Sequence, residues 1–162
     1  IWRLADMPAR PAVDARALVR ISTSALAATA SAMPDRVPFA FDGNMDTWWS
    51  SGEPQRGGEW LRIVFDREFN LARLRLDIAR DRTGDYPRVL VIESEAAGAG
   101  RETLFNGPTL PALIQGMALP GPVQSITIDL PTNRTRVIWL RQAGEAHPWH
   151  WSVSELRFWA RP

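Results

Sequence analysis

The sequence predicts an all-β fold, an antiparallel β-sandwich, and three observations carry that expectation. Several runs alternate apolar and polar residues with a period of two, the mark of strands with one buried face. Clusters of Gly, Pro, Asn and Asp punctuate the chain between those runs. Helical periodicity is scarce and the 13 prolines are scattered, which suits many short strands joined by turns.

Taken in order, residues 1–19 read as a linker or a segment packed outside the sandwich, because Pro8 and Pro11 interrupt regular structure and residues 14–20 suffice for only a short helix. The sandwich domain is expected over 20–162. Residues 60–65 (WLRIVF) and 89–94 (VLVIES) read as buried strands. In 71–78 (LARLRLDI), Ala72, Leu74, Leu76 and Ile78 point one way and Arg73, Arg75 and Asp77 the other. In 123–130 (VQSITIDL), Ile126, Ile128 and Leu130 alternate with Ser125, Thr127 and Asp129. Residues 136–142 (RVIWLRQ) are apolar on both faces, as a central strand is, and 156–159 closes the fold. The connections 42–44, 51–58, 81–87, 96–100, 106–122 and 144–148 are turn-rich. The longest of them carries Leu110, Leu113, Ile114 and Met117, which are expected to pack down on the domain.

The bulk numbers set bounds. A chain of 162 residues holds one domain with a substantial core. The formal net charge of +1 provides no field for nucleic acid, so no nucleic-acid partner is expected. There is no Cys, which excludes disulfides, thiolate metal sites and thiol nucleophiles. No run approaches the roughly 20 apolar residues of a membrane span. The chain starts at Ile1 rather than Met, so it is expected to be a piece or a mature form of a larger polypeptide. Eight Trp suggest a large core, a stacking surface, or both.

No GxSxG, HExxH, P-loop or GxGxxG motif occurs, and no two carboxylates are visibly placed for glycoside hydrolysis, so the domain itself is expected to be non-enzymatic. His147 and His150 form an H-x-x-H pair with an intervening Pro148 and no further ligands near it, a poor zinc site. The richest stretch is 40–51 (AFDGNMDTWWSS). Asp42, Asn44, Asp46 and Thr47 place four oxygen-bearing side chains within six residues. Calcium takes six to eight such oxygens, although the spacing is not that of an EF-hand. The alternative is a plain turn capped by Thr47.

The run Ala40, Asp42, Gly43, Thr47, Trp49 and Ser51 resembles the signature of discoidin, or coagulation factor 5/8 C-type, domains, and equally that of family 32 carbohydrate-binding modules. Further matches follow in order: Trp60-Leu61-Arg62-Ile63, Tyr86-Pro87-Arg88 with the strand after it, the 136–141 strand, and 151–158 (WSVSELRF). The resemblance spans roughly residues 20–160. It implies a jelly-roll sandwich of the galactose-binding-like type. It also implies a structural calcium held by Asp42, Asn44, Thr47 and Glu155 with the carbonyls of Phe39 and Ser154. Trp49, Trp60 and Trp139 are then expected in the core, with Trp151 packed inward.

In galactose-binding relatives, loops at one end of the sandwich supply a His, an Arg and an aromatic ring. The corresponding His position here is Ser50, a departure that weakens the case for galactose itself. The ligand candidates carried over are Arg80 and Arg82, with Trp48, Trp149 and His147. The implied function is a non-catalytic accessory module binding a glycan or cell-envelope polysaccharide. It would be a monomeric unit tethered to a larger secreted or membrane-anchored protein, such as a carbohydrate-active enzyme or glycosyltransferase, in an extracellular or periplasmic setting. The competing expectation is a structural or protein-interaction sandwich without a sugar site.

Overall fold

The computed structural model describes residues 18–96, 100–118, 120–121 and 123–162. Apart from Leu18 and Val19, the expected peripheral segment 1–19, including Trp2, lies outside the described residues. The strands are β1 (Val19–Arg20), β2 (Leu26–Ala30), β3 (Trp49–Ser50), β4 (Trp60–Ala79), β5 (Val89–Ala96), β6 (Gly100–Pro108), β7 (Val123–Gln142), β8 (Ser152–Val153) and β9 (Glu155–Arg161). Among the described residues one α-helix, α1, spans Leu110–Met117, and 3-10 segments span Thr23–Ala25, Pro34–Ala40 and Arg80–Asp85.

All pairings are antiparallel. β4 and β7 are 20 residues each and pair along both halves, with a register break between Val64 and Phe69. The chain folds over at that break, so each of these strands serves both layers. The first layer is β2, residues 60–65 of β4, residues 137–142 of β7, β5 and β6. The second is β1, β9, residues 70–79 of β4 and the first half of β7. The layers meet through Leu61, Ile63, Phe65, Ile138 and Leu140 on one side and Leu74, Leu76, Ile126, Leu156 and Phe158 on the other, all buried. Phe65 meets Phe158 edge-on at 5.4 Å between centroids. Each such side chain contributes roughly 1.5–3 kcal/mol by leaving water.

Three expectations need correction. Trp60 and Trp139 are not in the core but partly exposed on the outer face of the first layer. Period two dictates this: Leu61 follows Trp60, and Ile138 and Leu140 flank Trp139, and those three neighbours all point inward. The expected inward set of 71–78, Ala72, Leu74, Leu76 and Ile78, is buried, but Asp77 on the opposite face is buried as well, held by Arg75, Ser125 and Arg157. Leu71 and Ala72 are both buried, because the register shifts between Leu71 and Arg73. Finally, the 106–122 connection contains α1, with Pro111 tolerated in the first turn. Only Leu113 packs down, while Leu110, Ile114 and Met117 are exposed. Gly116 lets the helix sit on β7, since a Cβ there would lie 1.8 Å from the Ser125 carbonyl oxygen. Among the described residues no helix is long and apolar enough to cross a membrane.

Candidate functional site

Because β4 and β7 double over at one end, their free ends and the connections 42–48, 51–58, 80–88 and 143–151 gather at the other. Gln55, buried to 2% exposure, ties three of these loops together. Its Nε2 donates to the carbonyls of Tyr86 (2.9 Å) and His150 (2.7 Å). Its Oε1 accepts from the Arg88 backbone N–H (3.1 Å) and Gln142 Nε2 (2.7 Å). Its backbone exchanges hydrogen bonds with Trp149 and Ala146. Nothing in the local pattern GEPQRGG distinguishes this glutamine, because all its partners are distant in sequence.

The Arg80–Asp85 segment forms the centre of this end. Arg82 lies 3.4 Å over the ring of half-buried Trp48 and pairs with Asp81 at 3.0 Å. Arg80 is exposed and donates through Nε to the Gly121 carbonyl. Arg80, Asp81 and Arg82 line one cleft of about 340 Å³ with Met45, Asp46 and Trp48. Arg82 thus covers one face of Trp48. Asp85, at the other end of the segment, accepts from Ser152 Oγ at 2.7 Å.

Trp149 is 47% exposed. It follows a cis His147-Pro148 peptide and lies directly on Gly84, where a Cβ would fall 2.1 Å from its ring. The loop carrying Arg80 and Arg82 therefore also seats the exposed indole. His147 is exposed. His150, which sequence reasoning did not select as a ligand residue, stands 3.5 Å from Ser50 through Nδ1. An imidazole thus reaches the neighbourhood of the position that lacks one in the sequence, from a loop 100 residues away.

A second cluster joins the 42–47 loop to the start of β9. Asp42 accepts from the Asn44 backbone N–H (2.9 Å) and Thr47 Oγ1 (2.7 Å), and Thr47 also donates to the Asn44 carbonyl (3.0 Å). Asn44 Oδ1 accepts from the Asp46 N–H. The loop is thus held by its own side chains, as a capped turn is. Glu155, fully buried, accepts from the Gly43 N–H through Oε1. Its Oε2 is buried without a hydrogen bond, with Arg157 Nη2 at 3.6 Å. Burial raises its pKa above the usual 4.5; the Gly43 bond and Arg157 oppose this, and the Asp42 charge adds to it. Phe39 lies one residue before the end of the preceding 3-10 segment, and Ser154 sits between β8 and β9 with its Oγ accepting from the Ala79 N–H. Among the described residues no three His, Cys, Asp or Glu side chains cluster to hold a metal. The oxygen groups that the loop and Glu155 offer are instead two carboxylates, an amide and a hydroxyl. With an orphaned carboxylate oxygen among them, this all-oxygen set fits a hard cation such as calcium.

A larger cavity of about 680 Å³ lies at the opposite end, lined by Val19, Arg67, Phe69 and Arg161 among others, and holds none of the predicted site residues.

No family model matches the sequence. Solved structures share the fold. A Clostridium perfringens family 32 carbohydrate-binding module in complex with galactose superposes with a TM-score of 0.64 at 14% identity, covering 88% of this chain and 98% of its own. A second C. perfringens module of that family, in complex with GalNAc-beta-1,3-galactose, gives 0.66 at 14% identity over 86% of this chain and 99% of its own. The F5/8 type C domain of a Bacteroides fragilis protein gives 0.67 at 15% identity over 90% and 97%. In sequence, 101 residues are 35% identical to an alpha-(1->3)-arabinofuranosyltransferase of Mycobacterium tuberculosis, over 57% of this chain. The chain spans 7% of that relative's length. The chain has the discoidin-like, galactose-binding-like sandwich fold of family 32 modules.

Proposed function

We propose that this discoidin-like sandwich is a non-catalytic carbohydrate-binding module whose ligand lies across the loop end. The observation that carries the reading is Trp149: a half-exposed indole packed against Gly84, on the same loop that presents Arg80. Sugar rings bind by laying C–H patches on such a face, while convergent polar groups fix the hydroxyls. Arg80 supplies donors, and Asp81 and Arg82 line the adjoining cleft. His147 and Trp48 flank this surface rather than form its platform. The 42–47 loop and Glu155 hold a structural calcium that ties the first loop to the closing strand.

The module acts as an accessory unit of a longer extracellular or periplasmic polypeptide that works on envelope polysaccharide. The partial likeness to an arabinofuranosyltransferase supports that context and makes arabinose- and galactose-containing glycans the first to test. A glycan array with the purified domain in calcium, beside Arg80→Ala and Trp149→Ala, tests the reading. The protein-interaction alternative is favoured by one feature, the exposed apolar face of α1 formed by Leu110, Ile114 and Met117.

A further inference from the structure

The two tryptophans that face outward from the first layer do not stand alone. The strand register sets Trp60 opposite Arg141 and Arg62 opposite Trp139 across β4 and β7, and Glu93 opposite Trp139 across β5 and β7. The two indoles meet edge-on at 5.0 Å. Trp139 is fixed by its Nε1, which donates to Glu95 Oε2 at 2.6 Å. Arg101 from β6 stacks 3.8 Å over its ring, and Arg62 stands 5.5 Å from it. Trp60, Glu93, Arg101, Trp139 and Arg141 enclose a cavity of about 230 Å³.

The polar lining of this cavity is incomplete. Glu93 has Arg101 at 3.8 Å and Arg141 at 3.7 Å, close enough to balance its charge and too far for a hydrogen bond. Its Oε2 is buried without a hydrogen bond. A buried acceptor left in that state is unfavourable and calls for an explanation. A hydroxyl meets the need, because it donates to the carboxylate and accepts from a guanidinium at once. The free Glu93 oxygen needs a donor, which an unprotonated anionic group lacks, and a cation would face Arg62, Arg101 and Arg141. The volume falls below the roughly 300–1,000 Å³ of drug-sized sites, which limits the occupant to about one ring.

We propose that this cavity on the sheet face is a second ligand site, separate from the loop end, and that it takes one neutral, polyhydroxylated ring of a saccharide. Arg101, exposed and stacked on Trp139 with Glu93 at 3.8 Å, keeps its place on that indole while the ring settles against Trp60. Two faces of one small module would then engage the same polymer, and linked contacts raise avidity.

The test follows the indole N–H signals of the whole chain in 15N-correlated spectra while methyl β-D-galactopyranoside or methyl α-D-arabinofuranoside is added. The expected result is saturable movement of the Trp60 and Trp139 signals with at least one of the two, retained in Trp149→Ala. In Glu93→Gln the affinity read from those signals falls about tenfold, while the Trp49 signal, held by its bond to the Ala32 carbonyl, stays in place and reports an intact fold. Four results would overturn the proposal: stationary Trp60 and Trp139 signals with both saccharides, equal affinity in Glu93→Gln, loss of the response in Trp149→Ala, or movement that tracks only protein concentration. The last would make the face a protein contact. Failure at the loop end would read differently, as an unresponsive Trp149 signal.

Discussion

Replacing Gly84 by alanine separates the exposed indole from the loop that seats it. An added Cβ would lie 2.1, 2.3 and 2.4 Å from Cε3, Cδ2 and Cζ3 of Trp149. To restore ordinary carbon contact near 3.5 Å, the ring must retreat by roughly 1.4 Å. The backbone at Gly84 is outside the left-handed region, so alanine brings no torsional strain and lowers the entropy of the unfolded chain by about 0.4–1 kcal/mol in favour of folding. The expected outcome is therefore a selective one. Thermal stability changes little, and the Trp149 indole signal moves. Affinity for the glycan identified on the array falls by the worth of one aromatic contact, about 0.5–1.5 kcal/mol or roughly 2- to 13-fold. Isothermal titration and thermal melts on the same preparation measure both. Unchanged affinity with a displaced indole would refute the platform role of Trp149. An unchanged indole signal would refute the packing itself.

Other consequences are equally direct. Gln55→Ala removes four side-chain hydrogen bonds at a buried position and is expected to lower unfolding free energy in urea by about 2–4 kcal/mol; a loss below experimental error would mean that the loops hold each other without it. Gly116→Ala drives a methyl into the Ser125 carbonyl and is expected to cost about 1–3 kcal/mol by lifting α1 from β7, read from the same denaturation curves. Glu155 has its folded pKa raised, first by burial, so the folded state binds the extra proton and, in chelator, stability falls as pH rises above about 4.5 toward the raised value. Glu155→Gln removes that slope. In millimolar calcium the sign reverses, since a cation requires the ionised carboxylate, and the melting temperature at neutral pH rises relative to EDTA; equal melting temperatures would exclude a calcium role for this loop.

Much of the fold was legible because period two is a local property. The inward sets Leu74, Leu76, Ile78 and Ile126, Ile128, Leu130 could be read from their own neighbours, and they are buried. The same rule, applied at Trp60 and Trp139, would have turned both outward, but their size and the family pattern suggested burial. Helix α1 was hidden because eight residues with one proline and one glycine give too short a period to detect. At the loop end, Arg80, Arg82 and Trp48 line one cleft, and only the family pattern placed Trp48 at the same end as the two arginines 32 and 34 residues later. The seat of Trp149 on Gly84, the hub role of Gln55 and the approach of His150 to Ser50 join residues 65, 31 to 95 and 100 positions apart. Single-sequence patterns carry no signal at such separations. Glu155 is the exception: only the order of family motifs along the chain linked it to the 42–47 loop before its bond to Gly43 was seen.

A glycan array probed with the folded domain in calcium, beside Arg80→Ala and Trp149→Ala, decides whether the loop end binds glycan. The expected result is binding to a defined arabinose- or galactose-containing glycan that both substitutions weaken or abolish. Binding to no glycan by a domain whose melting curve is intact, or binding that neither substitution alters, would contradict it.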